Sequence, residues 1–211
     1  MTEMKSDTCV DPSGVDKAAP AGTTNIIITG VGGQGVIMAS YVLGQAALAD
    51  GFDVKQSEVH GMSQRGGSVL SHLRFGRKIW SPLVTQGTAH LLLSFEALEA
   101  LRYVTWLRPG GMLVYNTLQV NPSTVSSGLA EYPTGVHSQI AAAWDRVRGV
   151  NATELAVKAG NPKAANMVML GAAANSLPFS DETWARIIAD VVPPKTVEAN
   201  MLAFGLGRSA E

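Results

Sequence analysis

A short apolar run at residues 25–29, NIIIT, leads directly into a glycine-rich turn at 30–35, GVGGQG, and then into a helical pattern. The run is β-branched and does not alternate with polar residues, which is typical of a buried parallel strand. Gly51 stands where a C-terminal cap of the helix is expected. A strand, a tight turn and a helix in this order predict the first unit of an α/β fold.

The rest of the chain continues to alternate between strands and helices. Further strands are predicted at 52–59, 68–75, 89–95, 112–117 and 145–153, and further helices at 96–107, 163–177, 181–192 and 197–207. The segment 79–84, IWSPLV, is expected to pair with 68–75 as an antiparallel hairpin. We therefore predict the α/β class: a single Rossmann-like domain at 25–211 with a mainly parallel sheet and an inserted β-hairpin, preceded by a flexible N-terminal leader at 1–24.

Charge and composition argue against several classes of protein. The 211 residues carry a formal net charge of -1, whereas a nucleic-acid binder usually has a basic face. No window approaches the ~20 apolar residues that span a bilayer, and the N-terminus lacks the pattern of a signal peptide. Cys9 is the single cysteine, so the chain cannot form an internal disulfide or hold an iron–sulfur cluster with four thiolates of its own. We expect a cytoplasmic protein.

The glycine-rich turn matches G-x-G-x-x-G between a strand and a helix, where glycines bring backbone N–H groups close to a phosphate. Its candidate cofactor-binding residues are Gly30, Gly32, Gly33, Gln34 and Gly35. A dinucleotide site also needs an acidic residue about 20 positions on, at the end of the second strand. Asp50 and Asp53 come too early for that place and Glu58 comes late. The turn therefore predicts a phosphate or anion site, or else close packing of the helix on the strand or against another chain.

The segment 58–69, EVHGMSQRGGSV, follows the second strand and is dense in polar groups and glycine. We expect it beside the glycine turn, at the carboxyl edge where open α/β folds bind ligands. Its interface or active-site candidates are His60, Ser63, Gln64, Arg65, Gly66 and Gly67. Arg65 is a permanent cation suited to a carboxylate or phosphate, whereas Ser63 has no evident base. No catalytic residue is predicted in this chain alone, and a solvated surface connection is the alternative.

The histidines and the methionine-rich helix have simpler interpretations. None of the four histidines recurs at helical spacing with another ligand, so no metal site is predicted. His72 and His90 lie in strand-like apolar surroundings and are predicted to be hydrogen-bonded core or interface groups. The stripe at 167–174 predicts ordinary helix packing or a seam with a partner, because small residues allow close approach.

Several stretches of the sequence together resemble one known family. They are NIIITGVGGQGV, DVKQSEVHGMSQRGGSVLSHLRFG, SPLV, EALEALRYVTWLRPGGMLVYNT and NMVMLGA. They are similar to the gamma-type subunits of 2-oxoacid:ferredoxin oxidoreductases, and most of all to the small (beta) subunits of indolepyruvate ferredoxin oxidoreductases. The resemblance covers most of the chain after residue 24. The stretch HGMSQRGG is more similar to the arylpyruvate branch of the family than to its other members.

The resemblance implies a role as one subunit of an enzyme. Enzymes of this family convert a 2-oxoacid and coenzyme A to an acyl-CoA, carbon dioxide and reduced ferredoxin, using thiamine diphosphate, Mg²⁺ and [4Fe-4S] clusters. This chain has no Gly-Asp-Gly diphosphate motif and no cysteine cluster. The resemblance therefore implies that these cofactors lie in a larger partner subunit and that ferredoxin is a further partner. Residues 58–69 would then contribute to an active-site entrance or interface whose chemistry belongs to that partner.

Two other functions remain open from the residues alone. One is a freestanding nucleotide- or flavin-binding Rossmann-like protein, against which the missing acidic residue counts. The other is a non-catalytic scaffold whose glycines serve only packing, against which the polar density of 58–69 counts. The sequence does not specify the 2-oxoacid, the subunit ratio or whether the glycine turn touches a phosphate.

Overall fold

The computed structural model describes residues 22–60 and 67–210, so most of the predicted leader lies outside the described residues. The described residues form six strands in one sheet: β1 Thr24–Val31, β2 Asp53–His60, β3 Ser68–Gly76, β4 Ala89–Ser94, β5 Leu107–Asn116 and β6 Val147–Val150.

Helices cover both faces of this sheet. The α-helices are α1 Val36–Ala49, α2 Ala97–Tyr103, α3 Ser123–Ser126, α4 Val136–Ala143, α5 Ala152–Lys158, α6 Ala165–Ala174, α7 Asp181–Val191 and α8 Val197–Ser209. Short 3₁₀ turns lie at Val104–Trp106, Pro162–Ala164 and Pro194–Thr196. None of the helices in the described ranges combines the length and apolar character that a membrane crossing requires.

The strand order across the sheet is β2-β3-β1-β4-β5-β6. Strands β1, β4, β5 and β6 are parallel, whereas β3 is antiparallel to both of its neighbours, β1 and β2. β2 therefore runs in the same direction as β1, with β3 between them. This arrangement confirms the predicted α/β fold with a mainly parallel sheet.

The predicted pairing of 79–84 with 68–75 as a hairpin is wrong. β3 pairs with β2 and β1, while 79–84 forms no strand. Pro82 within that segment has no N–H to give to a ladder. Two β3 side chains hydrogen-bond the backbone of 79–84 instead. Arg74 Nη1 donates to the Ser81 carbonyl at 2.8 Å, and Val84 N donates to His72 Nδ1 at 3.2 Å.

His72 and His90 are hydrogen-bonded structural groups, as predicted. His72 is buried, and Nδ1 accepts from the backbone as just described. His90 Nδ1 accepts from Asn25 N at 3.1 Å. Burial lowers the pKa of both imidazoles, and the charge of Arg108 adds to the lowering at His90. The neutral ring that each acceptor role requires is therefore favoured.

Two apolar cores lie on opposite faces of the sheet because β1 is buried on both sides. Ile26 and Ile28 join the core beneath α1 and α6. Ile27 points the other way, into a row with Leu92 of β4 and Leu113 of β5, all fully buried. Complete burial of each such side chain contributes about 1.5–3 kcal/mol. The unbroken apolar run in the sequence reflects this double coverage.

Helices α6 and α8 cross at a pair of glycines. A Cβ on Gly171 would overlap the carbonyl of Phe204, and a Cβ on Gly207 would overlap the carbonyl of Val168. The backbones can approach so closely only because neither position carries a side chain. Met167, Met169 and their neighbours in α6 are buried, which confirms the interpretation of 167–174 as helix packing.

Candidate functional site

At the carboxyl edge of β1, the glycine turn contacts one described residue near the end of the predicted 58–69 segment. Ser63, Gln64, Arg65, Gly66 and the His60 side chain lie outside the described residues. Gly67 is described, and its carbonyl accepts a hydrogen bond from Gly32 N at 2.9 Å. Gly67, which directly precedes β3, is therefore tied to the glycine turn.

Left-handed backbone shapes the glycine turn at two positions. Gly33 has φ 101° and Gly35 has φ 86°, values that residues with a Cβ rarely adopt. Gly35 is the N-cap of α1 and supplies no side chain to satisfy the amides of the first turn. Glycine is needed at position 30 for a different reason, because a Cβ there would lie 2.8 Å from Phe95 Cβ and from Val36 Cγ2. Gly30 therefore serves packing, whereas Gly33 and Gly35 serve the turn itself.

Gln34 closes the turn from inside. Its Oε1 accepts from Val31 N at 2.7 Å, and its backbone N donates to the Val31 carbonyl at 3.1 Å. Its buried Nε2 has no hydrogen-bond partner within the described part of the chain. The side chain of this predicted cofactor-binding residue is therefore committed, through its oxygen, to holding the turn against β1.

Asn166, which the sequence did not single out on its own, adjoins the turn. It is 8% exposed and lies in the first turn of α6. Its Cβ and Nδ2 lie 3.2 and 3.3 Å from the place where a Cβ on Gly35 would be. The start of α6 therefore packs directly on the N-cap of α1. The only sequence signal for it is its place in the NMVMLGA stretch.

A matched pair of alanine substitutions should separate backbone strain from this contact. Gly33→Ala and Gly35→Ala each place a Cβ on left-handed backbone, at a cost of about 1–2 kcal/mol. The added carbon at Gly33 meets open space, whereas at Gly35 it meets Asn166. We expect Gly35→Ala to lower the free energy of unfolding more than Gly33→Ala in chemical denaturation. Equal losses would mean that Asn166 yields freely.

Two buried carboxylates, Glu96 and Glu99, lie beside the turn at the carboxyl end of β4. Glu99 is 4% exposed. Its Oε2 accepts from Ser68 Oγ at 2.5 Å and from Thr29 Oγ1 at 3.3 Å, and its Oε1 pairs with Arg102 Nη1 at 2.9 Å. Ser68 is the first residue of β3, directly after the loop. Glu99 therefore fixes the point at which the loop rejoins the sheet.

Glu96 holds the segment that follows β5, the next connection along this edge of the sheet. It is the N-cap of α2 and accepts from Glu99 N at 2.9 Å. Its Oε1 accepts from Val120 N at 3.1 Å and from Tyr132 Oη at 2.8 Å. Burial, together with this hydrogen bond, raises the pKa of Tyr132. The carboxylate thus anchors the irregular segment after β5.

A cleft of about 70 Å³ lies between these anchored segments. It is lined by Val31, Ser68, Glu96, Leu98, Glu99, Arg102, Val120 and Pro122. After β1 the chain forms β2 and β3 on one side of β1 and then β4 on its other side, so the strand order reverses between β1 and β4. The cleft lies at this point, which is the usual ligand position in open α/β sheets. Arg102, whose side chain is half-exposed, puts a cation at its rim. The volume suits a small polar group rather than a whole cofactor.

Comparison with known proteins identifies close relatives. A sequence model of the family described as "Pyruvate ferredoxin/flavodoxin oxidoreductase" matches residues 25–210. Indolepyruvate oxidoreductase subunit IorB from Thermococcus kodakarensis is 44% identical over 88% of this chain and 95% of its own, and IorB from Pyrococcus horikoshii is 43% identical over the same shares. The crystal structure of the keto/oxoacid ferredoxin oxidoreductase gamma subunit from Geobacter sulfurreducens has 28% identity and a TM-score of 0.63, covering 87% of this chain and 95% of that one.

Proposed function

The chain belongs to the pyruvate ferredoxin/flavodoxin oxidoreductase family, and on that premise we propose that it is the small subunit of an indolepyruvate oxidoreductase. The complete enzyme converts an arylpyruvate and coenzyme A to an acyl-CoA, carbon dioxide and reduced ferredoxin in the cytoplasm. The observation that carries the proposal is the 44% identity to a subunit of that name across 95% of the subunit's length.

The residues of this chain do not fit the redox and thiamine cofactors of such an enzyme. A [4Fe-4S] cluster needs four thiolates, and Cys9 is the single cysteine. Within residues 22–60 and 67–210, no group of three His, Cys, Asp or Glu side chains is placed to hold a metal ion. We therefore assign thiamine diphosphate, Mg²⁺ and the clusters to a large partner subunit, which also passes electrons to ferredoxin.

The contribution of the small subunit lies at the carboxyl edge of its sheet. Gly67, the last residue before β3, is hydrogen-bonded to Gly32 in the turn from Gly30 to Gly35, and we include the predicted candidates at 60–67 in the same region. Left-handed glycines at an uncapped helix start are suited to an anion such as a coenzyme A phosphate. We assign this region to the active-site entrance at the boundary with the large subunit. A freestanding nucleotide-binding protein is the second candidate, favoured only by the G-x-G-x-x-G match.

Reconstitution tests this division of labour. The purified chain, supplied with thiamine diphosphate, Mg²⁺, indolepyruvate and coenzyme A, should reduce no dye. Addition of the large subunit should produce dye or ferredoxin reduction, with indolepyruvate preferred over 2-oxoglutarate. Turnover by the isolated chain would refute the assignment of the cofactors, and failure of the two chains to associate would refute the subunit role.

Arg65→Ala should impair the assembled enzyme. Arg65 is a permanent cation in the loop, able to meet a carboxylate or phosphate in forked geometry. Loss of one charge-assisted contact of about 1.5–3 kcal/mol corresponds to a roughly 10- to 100-fold loss in kcat/KM. Steady-state kinetics against both indolepyruvate and coenzyme A should show which substrate is affected.

Size-exclusion chromatography of the same Arg65→Ala sample separates the possible anions. An intact complex with a raised KM indicates a substrate or coenzyme A anion, whereas a dissociated complex indicates a carboxylate of the partner. Arg65→Lys is the control, because it keeps the charge but loses the fork. Wild-type kinetics with intact assembly would show that Arg65 is only a solvated loop residue.

A further inference from the structure

Helix α1 begins without a side-chain cap, but this alone does not indicate a ligand. Its N-cap, Gly35, has no side chain that could accept from the first amides of the helix. Helix α4 also begins at a left-handed glycine, Gly135. The two starts differ in their surroundings, because a Cβ on Gly135 would meet open space, whereas one on Gly35 would meet Asn166. Asn166 is therefore the feature that sets the start of α1 apart from that of α4.

The Asn166 side chain meets the start of α1 with a donor rather than an acceptor. Its Oδ1 accepts from Met167 N at 3.0 Å. This bond fixes which end of the amide is oxygen, because a nitrogen in that place would oppose the Met167 donor. Nδ2 lies on the other branch, 3.3 Å from the place where a Cβ on Gly35 would be. An asparagine that capped α1 would present its oxygen there, so Asn166 has a different role.

Nδ2 of Asn166 has no hydrogen-bond acceptor within residues 22–60 and 67–210. The residue is only 8% exposed, and a buried amide nitrogen without an acceptor is uncommon in folded proteins, because nothing compensates its lost hydration. The nitrogen is not sealed off, however. Among the described residues, the fully enclosed unpaired side-chain nitrogens belong to Gln34 and Trp184. A small group at the start of α1 can therefore reach Asn166 Nδ2, whereas it cannot reach Gln34 Nε2.

A cation neighbours Asn166 on the same helical segment. Lys163 lies three positions earlier, in the 3₁₀ turn that leads into α6, and residues three apart are neighbours on a helix surface. Lys163 is exposed and forms no ion pair with another described residue. The first-turn amides of α1, the Asn166 amide nitrogen and the Lys163 ammonium are all donors. This part of the molecule therefore suits a group that only accepts hydrogen bonds.

We propose that Asn166 is an anion-binding residue, whose Nδ2 donates to a carboxylate or phosphate oxygen held at the start of α1. The inference rests on the proposed function, which supplies two such anions: the carboxylate of the 2-oxoacid and the phosphates of coenzyme A. A donor set of this kind favours an ionised oxyanion over a hydroxyl group, because it offers no acceptor for a proton on the ligand. The positive end of α1 adds to the attraction.

Replacing the donor with an acceptor tests the proposal in the reconstituted complex. Asn166→Asp keeps an oxygen for Met167 N, and a carboxylate in the first turn of α6 suits the helix dipole. It places a negative charge where the anion would bind. We expect Asn166→Asp to raise KM for one of the two substrates by about 100-fold and Asn166→Ala to raise it by about 10-fold. The KM for the other substrate should stay within about 3-fold of wild type.

Asn175→Asp is the matched control. It makes the same change at the other end of α6, where the side-chain oxygen accepts from Arg208 Nε at 3.1 Å. Both of its KM values should stay within about 3-fold of wild type. The substrate whose KM rises in Asn166→Asp identifies the anion, since coenzyme A indicates a phosphate and indolepyruvate indicates a carboxylate. Asn166→Asp kinetics that match the control, or a loss confined to kcat and thermal stability, would overturn the proposal.

Thermal melts of the full chain without its partner give a readout that is independent of turnover. Coenzyme A and indolepyruvate are added separately, and one of them should raise the melting temperature of wild type and Asn175→Asp by about 2–4 °C at ten times Kd. Asn166→Asp should show no such rise. Failure of the two chains to associate would refute the proposed function, and the melts then decide on the anion site. Equal shifts in wild type and Asn166→Asp, or no shift in either, would overturn it.

Discussion

Gly207→Ala is expected to lower the free energy of unfolding by about 3 kcal/mol or more, a large part of the 5–15 kcal/mol that is typical of a domain. The added carbon would overlap the backbone carbonyl of Val168 in α6. A backbone carbonyl cannot rotate away as a side chain can, so α6 and α8 must separate. Both helices contribute to the larger core, which includes Met167, Leu170 and Phe204.

Gly205→Ala in the same helix is the matched control. A Cβ at Gly205 meets nothing within 4 Å, and alanine in an exposed helix interior is favoured over glycine by about 0.8–1 kcal/mol. The two substitutions should therefore have opposite signs in a denaturant titration monitored by circular dichroism. A Gly207→Ala protein as stable as the Gly205→Ala protein would contradict the close crossing of the helices.

Glu99→Ala should destabilise the chain by about 2–3 kcal/mol, the expected range for losing hydrogen bonds to a buried charged group. The substitution removes the acceptor for the Ser68 hydroxyl and the partner of Arg102. Arg102 is half-exposed, so water can solvate its charge, and the loss stays below that of a fully buried pair. The loop exit at Ser68 should loosen at the same time.

Glu99→Gln provides the control for shape. An amide oxygen can still accept from Ser68 or Thr29, but it no longer carries the charge that pairs with Arg102. We expect its loss of unfolding free energy to lie between zero and that of Glu99→Ala. Hydrogen exchange at Ser68 and Val69 should be accelerated in the alanine protein and less so in the glutamine protein. A Glu99→Ala protein within about 0.5 kcal/mol of wild type would show that the network contributes nothing to stability.

The sequence predicted the parts of the fold that depend on local pattern. The run at 25–29 and its glycine turn correspond to β1 and the start of α1, because double burial leaves an unbroken apolar signature. Helix α5 was missed although Asn151 caps it by accepting from Glu154 N. Its seven residues are too short for apolar periodicity to stand out, and the predicted strand at 145–153 ran across its start. Helix α4 was missed for the same reason.

The site was harder to predict because its contacts join distant segments. In the sequence, Glu96 and Glu99 stand only at the start of the predicted helix at 96–107. Their burial depends on Thr29, Ser68 and Tyr132, which lie 31 to 70 positions away. Likewise, Asn166 touches Gly35 across the fold. The local sequence of neither segment indicates that these residues are in contact.

The central position of β1 has a consequence for synthesis of the chain. Its antiparallel neighbour is β3, and its parallel neighbour is β4, where Ile26 pairs with Leu91, 65 residues later. At about 5–20 residues per second, a ribosome needs roughly 3 to 13 seconds to produce that partner. Until β4 is made, one edge of this β-branched segment has no strand partner, and unpaired segments of this kind can form intermolecular strands. The stretch at the centre of the finished sheet is thus also a stretch with a strand edge open to intermolecular pairing during translation.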